Sequence, residues 1–199
     1  MTSLATTTDI NIRSALHRQR LRHHKLNPRT LVIDELGLAH ARTRVDVAVI
    51  NGCIHGYEIK SAHDSLNRLG TQLDVYRHTL HKLTIVAASR HLERILSEVP
   101  DWCGVIEAVE GPRGGIWLQR VRSARSNPDI EPVMLAHLLW KSEVLDLLSR
   151  NGYTPKELRH PRKYLYEMLC EVLTPRELTN AIRNFMMCRE AWRDHLARA

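Results

Sequence analysis

Long apolar runs are missing from this chain. Nothing in its 199 residues approaches the roughly 18 consecutive apolar positions that a membrane span requires, so no spanning helix is expected. The opening residues, MTSLATTTDI, lack a charged start followed by an apolar block, and no secretory signal is expected there. Cysteine is sparse and scattered. Cys53, Cys103, Cys170 and Cys188 have no paired spacing, which argues against a disulfide frame or a cysteine zinc site and for reduced thiols in a cytoplasmic protein. No glycine-rich phosphate loop of the Walker kind is present, so intrinsic ATP hydrolysis is not expected. Ser61 has no Ser-His-Asp setting around it and reads as a local cap. The twelve histidines are spread along the chain, and adjacent His23 and His24 face different ways on a helix, so no histidine metal site is expected.

What is present is an ordinary globular composition, 43% hydrophobic and 26% charged, with a formal charge of +7. The length suits one domain, or one with a small appendage, and can bury a core without staples. The basic balance favours an anionic partner, of which nucleic acid is the commonest.

The segment DINIRSALHRQRLRHHKLNPR predicts one basic helix, with Asp9 as its cap and Pro28 at its end. TLVIDELGL and TRVDVAVI predict two strands joined by AHAR. Asn51-Gly52 then signals a hairpin into a third strand, CIHGYEIKS. In AHDSLNRLGTQLDVYRHTLH, Leu66, Leu69, Leu73, Tyr76 and Leu80 recur at helical steps, predicting an amphipathic helix. KLTIVAAS reads as a buried strand, RHLERILSEV as a short helix, and GVIEAVE and IWLQRVRSA as a hairpin about GPRGG. The order is helix, three-strand meander, helix, strand, helix, hairpin, a mixed α/β arrangement. Composition shifts at residues 123–132, and beyond them no strand is predicted. VMLAHLLWKSEVLDLLSR reads as one apolar helix. TPKE at Thr154 and TPRE at Thr174 each supply a Thr cap, a first-turn Pro and a Glu to close a capping box. The expected division is a core over 1–130 and a helical C-terminal subdomain over 131–199.

One stretch resists a purely structural reading. VDVAVINGCIHGYEIKS, residues 45–61, places Asp46, Glu58 and Lys60 among Val, Ala and Ile. On strands side chains alternate, so Glu58 and Lys60 share a face, while Val45, Val47 and Val49 oppose Asp46. In one sheet the three charges could converge, and burying them alone would cost several kcal/mol each. A divalent cation would compensate. Two carboxylates and a backbone carbonyl, that of Ile59, suit Mg²⁺ or Mn²⁺, with Lys60 beside an attacking water or a phosphate.

Asp46, followed twelve positions later by Glu58-Ile59-Lys60 on the next strand, resembles the PD-(D/E)XK nuclease superfamily, and the element order matches its αβββαβ restriction-endonuclease-like core. Gln72 and Tyr76 in QLDVY resemble the Gln-x-x-x-Tyr motif of its exonuclease-like branch, and the run from residue 30 to 90 looks like small bacterial members. The resemblance implies a metal-dependent nuclease acting on DNA, with RNA the other candidate. It implies Asp46 and Glu58 as metal ligands, the Ile59 carbonyl as a third, Lys60 assisting the water, and Gln72 and Tyr76 as the adjoining wall. An upstream acid is common in such proteins. Glu35 is the best match, with Asp34 its rival and an exposed edge-strand charge the alternative. Asp64, Arg68, Gln72 and Tyr76 form a stripe on the predicted helix. Asp64 reads as a helix cap, and Arg68, like Arg44, as either a phosphate contact or a solvated face. The basic N-terminal helix, Arg13 included, reads as a solvated face.

A second function from another class stands beside this one: a catalytically inactive module that binds nucleic acid or a protein partner in a bacterial or phage mobile-element or defence setting. AHLLWKSEVLDLL carries too much apolar surface to stay exposed and should pack on the core or a partner. RHPRKYLYEML and RNFMMCREAWRDH mix basic and aromatic residues, suiting either helix packing, a helix-turn-helix included, or a grip on nucleic acid. A homodimer, expected where two strands are cut, or a protein partner would engage the C-terminal helices.

Overall fold

The computed structural model describes residues 7–112 and 114–197, the last eight of these by backbone alone. Residues 1–6 of the opening segment and Arg113 of the GPRGG turn lie outside them. The elements run α1 (Asp9–Gln19), α2 (Arg22–Lys25), β1 (Leu31–Leu38), β2 (Thr43–Ile50), β3 (Ile54–Lys60), α3 (Leu69–Thr79), β4 (Lys82–Ala88), α4 (Leu92–Glu98), β5 (Gly104–Glu110) and β6 (Ile116–Arg122). After them come α5 (Pro132–Ala136), α6 (Lys141–Arg150), α7 (Arg162–Val172) and α8 (Pro175–Ala197). The protein is an α/β fold on one six-stranded mixed sheet, whose strand order in space equals the order in the chain. β1, β2 and β3 are antiparallel, β3, β4 and β5 parallel, and β5 and β6 antiparallel. The two parallel crossovers carry α3 and α4, as parallel neighbours require a helical return.

Helices cover both faces of the sheet. Ile12, Ala15 and Leu16 of α1 bury against Val47, Val49, Tyr57, Ile59 and Val86. On the other face Ala48, Ile50, Leu83 and Ile85 pack with Leu69 and Tyr76 of α3 and with Leu135, Leu148, Leu169 and Ile182 of the C-terminal helices. The apolar tail therefore finds its cover on the sheet itself, within one continuous core. Among the described residues no helix is long and apolar enough to cross a membrane.

Several local expectations need correction. The first helix breaks in two at Arg20–Leu21, and its cap is Thr8, whose hydroxyl accepts the Asn11 N–H at 3.3 Å. Asp9 sits one residue inside and pairs with Arg13 instead. α3 starts at Leu69 rather than near Asp64, because the Asp64 carboxylate takes the Ser61 N–H at 2.6 Å and holds a turn. The apolar segment after residue 132 is two helices, since Trp140 is extended and its N–H binds Glu143 at 2.7 Å, starting α6 afresh. Thr174 and Glu177 close their capping box and open α8. At Thr154 only half of the box forms, with the Thr154 N–H and hydroxyl donating to Glu157 Oε2 at 2.8 and 2.6 Å, and the segment yields only a 3₁₀ turn, because His160-Pro161 disfavours helix at that point.

Packing density yields a paired prediction. A Cβ on Gly104 would stand 2.8 Å from both the Ala124 backbone nitrogen and Thr84 Oγ1, whereas one on Gly70 in α3 would meet nothing within 4 Å. Gly104→Ala should lower unfolding free energy by about 1–3 kcal/mol, and Gly70→Ala should raise it by about 0.5 kcal/mol through helix propensity, both read from urea denaturation midpoints.

Candidate functional site

The site begins where a ladder fails. β2 and β3 pair from Ile50↔Ile54 to Val47↔Tyr57 and then part. The Asp46 carboxylate fills the gap, with Oδ2 accepting the Ile59 N–H at 2.6 Å. N–H and C=O of one strand residue lie on the same edge, so the Ile59 carbonyl faces the same gap. On β1, Glu35 has φ +60° and no ladder partner, opposite Asp46. Side-chain alternation shifts across this point. Leu31, Ile33, Leu36 and Leu38 all serve the α3 face, as do Val45, Ala48 and Ile50, whereas Val47 and Val49 face α1. The expectation that Val45, Val47 and Val49 share a face is therefore corrected, and the cause is the irregularity at Glu35 and Asp46.

Glu58 and Lys60 do share a face, that of α3. Both are buried, and Lys60 Nζ donates to Glu58 Oε1 at 2.7 Å and to Gln72 Oε1 at 2.9 Å. Gln72 Nε2 donates to the same Glu58 Oε1 at 2.7 Å. The Tyr76 hydroxyl lies 2.6 Å from Glu58 Oε2 and 2.8 Å from the Arg44 carbonyl, and its single proton serves one at a time. Four of the residues singled out in the sequence thus form one closed network, built by the i, i+2 alternation of β3 and the i, i+4 spacing of α3. Burial and the charge of Glu58 raise the Tyr76 pKa further above its usual range.

Asp46 stands beside this network. Burial first, and then the charge of Glu58, push its carboxyl up to about 7, against the opposing pull of the Ile59 N–H and Arg13. Two carboxylates from adjacent strands that resist joint ionisation are a donor set that a divalent cation suits, with the Ile59 carbonyl a third oxygen. Glu58 has one oxygen, Oε2, that meets a single donor. Among the described residues no three His, Cys, Asp or Glu side chains are grouped to hold a metal. Glu35, the expected upstream acid, is not grouped with Asp46 and Glu58 in this arrangement. It is exposed and pairs with Arg13 at 2.6 Å and Arg44 at 3.4 Å, and its rival Asp34 pairs with His17. The structure brings Asp46, Glu58, Lys60, Gln72 and Tyr76 together and leaves Glu35 at the rim among arginines.

Sequence reasoning missed Arg13. It reaches from α1 to bind the Asp46 backbone carbonyl at 2.7 Å, and its charge meets Asp9, Glu35 and Asp46. A helix read as solvated therefore sends a cation to the site; the i, i+4 pair Asp9/Arg13 was visible, its reach was not. Arg68 immediately precedes α3, makes no side-chain cap bond and, with Arg42, Arg44, Glu35 and Gln72, lines a cleft of about 440 Å³. A neighbouring cleft of about 510 Å³ shares Glu35 and Ala41 with it and continues to Trp140, Arg162 and Arg189 of the C-terminal helices. There Arg189 stacks 4.1 Å over Trp140 and pairs with Glu143.

A family model described as Bacteriophage P4 protein cII matches residues 6–198. The chain belongs to this family. Protein cII of Enterobacteria phage P4 is 30% identical over 156 residues, 78% of this chain and 56% of the relative, so the chain spans little more than half of that protein. Among solved structures, a protein of unknown function from Silicibacter pomeroyi aligns over 73% of this chain and 94% of its own, at 18% identity and a TM-score of 0.43. The Bacteriophage P4 protein cII family accords with the phage side of the setting expected from the sequence.

The raised carboxyl of Asp46 has a sign that can be measured. Its folded pKa lies above the unfolded value near 4, so the native state holds a proton that the unfolded chain has released. That contribution is full below about pH 4 and is lost as pH rises through about 7. Asp46→Asn keeps an oxygen for the Ile59 N–H and removes the titration. Stability of the wild type minus that of Asp46→Asn should fall between pH 5 and pH 8 in urea melts, leaving the variant the more stable at pH 8.

Proposed function

We propose that the chain is a Mg²⁺- or Mn²⁺-dependent nuclease that hydrolyses phosphodiester bonds in DNA, on a PD-(D/E)XK-type core. The observation that carries this reading is the convergence of Glu58, Lys60, Gln72 and Tyr76 beside Asp46, where the sheet opens. Asp46, Glu58 and the Ile59 carbonyl would hold the cation, which supplies Lewis acidity toward a phosphoryl oxygen and acidifies water. Lys60, aligned by Glu58 and Gln72, offers its ammonium to the attacking water or to charge growing on phosphorus. Gln72 holds Lys60 and Glu58 in register from α3, and Tyr76 braces Glu58 against the Arg44 carbonyl. Arg42, Arg44 and Arg68 line the adjoining cleft and suit phosphates on either side of the scissile bond. Arg13 tempers the negative charge of Asp46 and Glu35.

A second reading has its own observation. The Glu58 carboxylate, 2% exposed, already meets three donors, an arrangement that is self-sufficient without metal. On that reading the chain is an inactive module that binds nucleic acid through the same arginine-lined cleft. Kinship with a phage protein supports a mobile-element setting for either reading.

Purified protein with Mg²⁺ or Mn²⁺ and linear, circular or single-stranded DNA, with an RNA of the same sequence alongside, separates the two. Cleavage should fall about 10²-fold or more in Glu58→Gln and in Lys60→Ala, while Lys163→Ala on the exposed face of α7 should not change it. Undiminished cleavage in both site variants rules out this centre. Salt-sensitive DNA binding by the wild type with no turnover in either metal supports the binding module.

A further inference from the structure

On the opposite face of the sheet, beneath α2, lies a recess of about 270 Å³ that the candidate catalytic centre does not use. Its walls carry Arg20, His23 and His24 from the helical segment, Lys82 from β4, and Arg120 and Arg122 from β6. No Asp or Glu lines it. His55 and Tyr57 of β3 form its floor, their rings stacked with centroids 4.3 Å apart.

The cations are unevenly satisfied. Arg122 is held by the carbonyls of Val99, Pro100 and Cys103, with Asp101 3.6 Å away. Arg20 gives one nitrogen to the Leu118 carbonyl, while its Nε is buried with no partner. Lys82 and Arg120 make no side-chain hydrogen bond or ion pair among the described residues. Burial, with Lys82 and His24 beside it, pushes the His55 imidazole down to about 4, so the floor is neutral and its Nε2 shares a hydrogen bond of 2.8 Å with Thr84. Like charges gathered without a counter-charge destabilise the folded state, and an anion in their midst relieves that repulsion. Guanidinium and ammonium groups about a concave pocket match phosphate, and a flat aromatic floor matches an organic group attached to it.

We propose that this recess is a phosphate-binding site, whose occupant is a phosphate group of a nucleic-acid strand or of a free nucleotide. The site is separate from the carboxylate network and does not depend on its chemistry.

The test is done in EDTA, so that no metal centre contributes. Inorganic pyrophosphate and a fluorescent single-stranded oligonucleotide are titrated into the full chain. Lys82→Glu, Arg120→Glu and the milder Lys82→Gln are compared with Lys163→Glu, which changes net charge equally at an 81% exposed position on α7. Matched thermal unfolding screens the variants for folding. The wild type should bind at least one probe saturably, with Lys82→Glu weakening it about tenfold more than Lys163→Glu does. Loss confined to pyrophosphate assigns the site to a free nucleotide. Loss of oligonucleotide affinity with a shallower salt dependence assigns it to a strand. No saturable binding of either probe, or equal effects of Lys82→Glu and Lys163→Glu, would overturn the proposal.

Discussion

Glu58 sits 2% exposed on a sheet face that, Lys60 apart, is supplied largely by Leu, Ile, Val and Ala. A charge there costs several kcal/mol unless donors meet it. Lys60 comes from the same strand, two residues on, and could form the pair unaided. Gln72 and Tyr76 come from α3, and their demand fixes where that helix lies and how it is rotated. The Tyr76 hydroxyl then reaches the Arg44 carbonyl, so one side chain ties α3 to both β2 and β3. Asp46 is left in the opening between those strands, next to a negative charge that cannot move away. Its raised pKa follows from that placement, from burial first and then from the charge of Glu58.

The same opening explains how α1 is held. Its apolar stripe buries against Val47, Val49 and Ile59, but a hydrophobic face sets no unique angle. Arg13 supplies direction through its hydrogen bond to the Asp46 backbone carbonyl and its ion pair with Glu35. The irregular point of the β1–β2 pair is thus contacted from both faces: by Arg13 from one side, and by the Tyr76–Arg44 contact from the other.

The element order and the convergence of Glu58, Lys60, Gln72 and Tyr76 were legible because they rest on short-range periodicity. Alternation on one strand and a four-residue step on one helix need no knowledge of tertiary structure. Asp46 was legible as a member of the cluster, but not its conformation. Val45 breaks the alternation where the ladder is interrupted at Asp46, opposite Glu35 with its positive φ, and no pattern of residue types reveals that irregularity. Arg13 was hidden for a like reason: its partners are 22 and 33 residues away. The split of the apolar segment at Trp140 turns on Glu143, which both starts α6 and pairs with Arg189 at the far end of the chain. Local pattern could not distinguish the productive Thr-Pro-Arg-Glu from the abortive Thr-Pro-Lys-Glu, because Pro161 lies beyond the motif.

Strand order in space repeats strand order in sequence, and this has a temporal reading. As a chain leaves the ribosome, each new strand finds its partner already made. Arg13, Asp46, Glu58, Lys60, Gln72 and Tyr76 all lie in the first 76 residues, whereas Leu135, Leu148, Leu169 and Ile182, which complete the cover of that face, arrive last. The ionic groups are thus close together in the chain, and Glu58 with its three donors spans only residues 58 to 76. A charge that enters a closed interior without its counterpart faces the full dehydration barrier, and here the counterparts of Glu58 are supplied by its own strand and the very next helix.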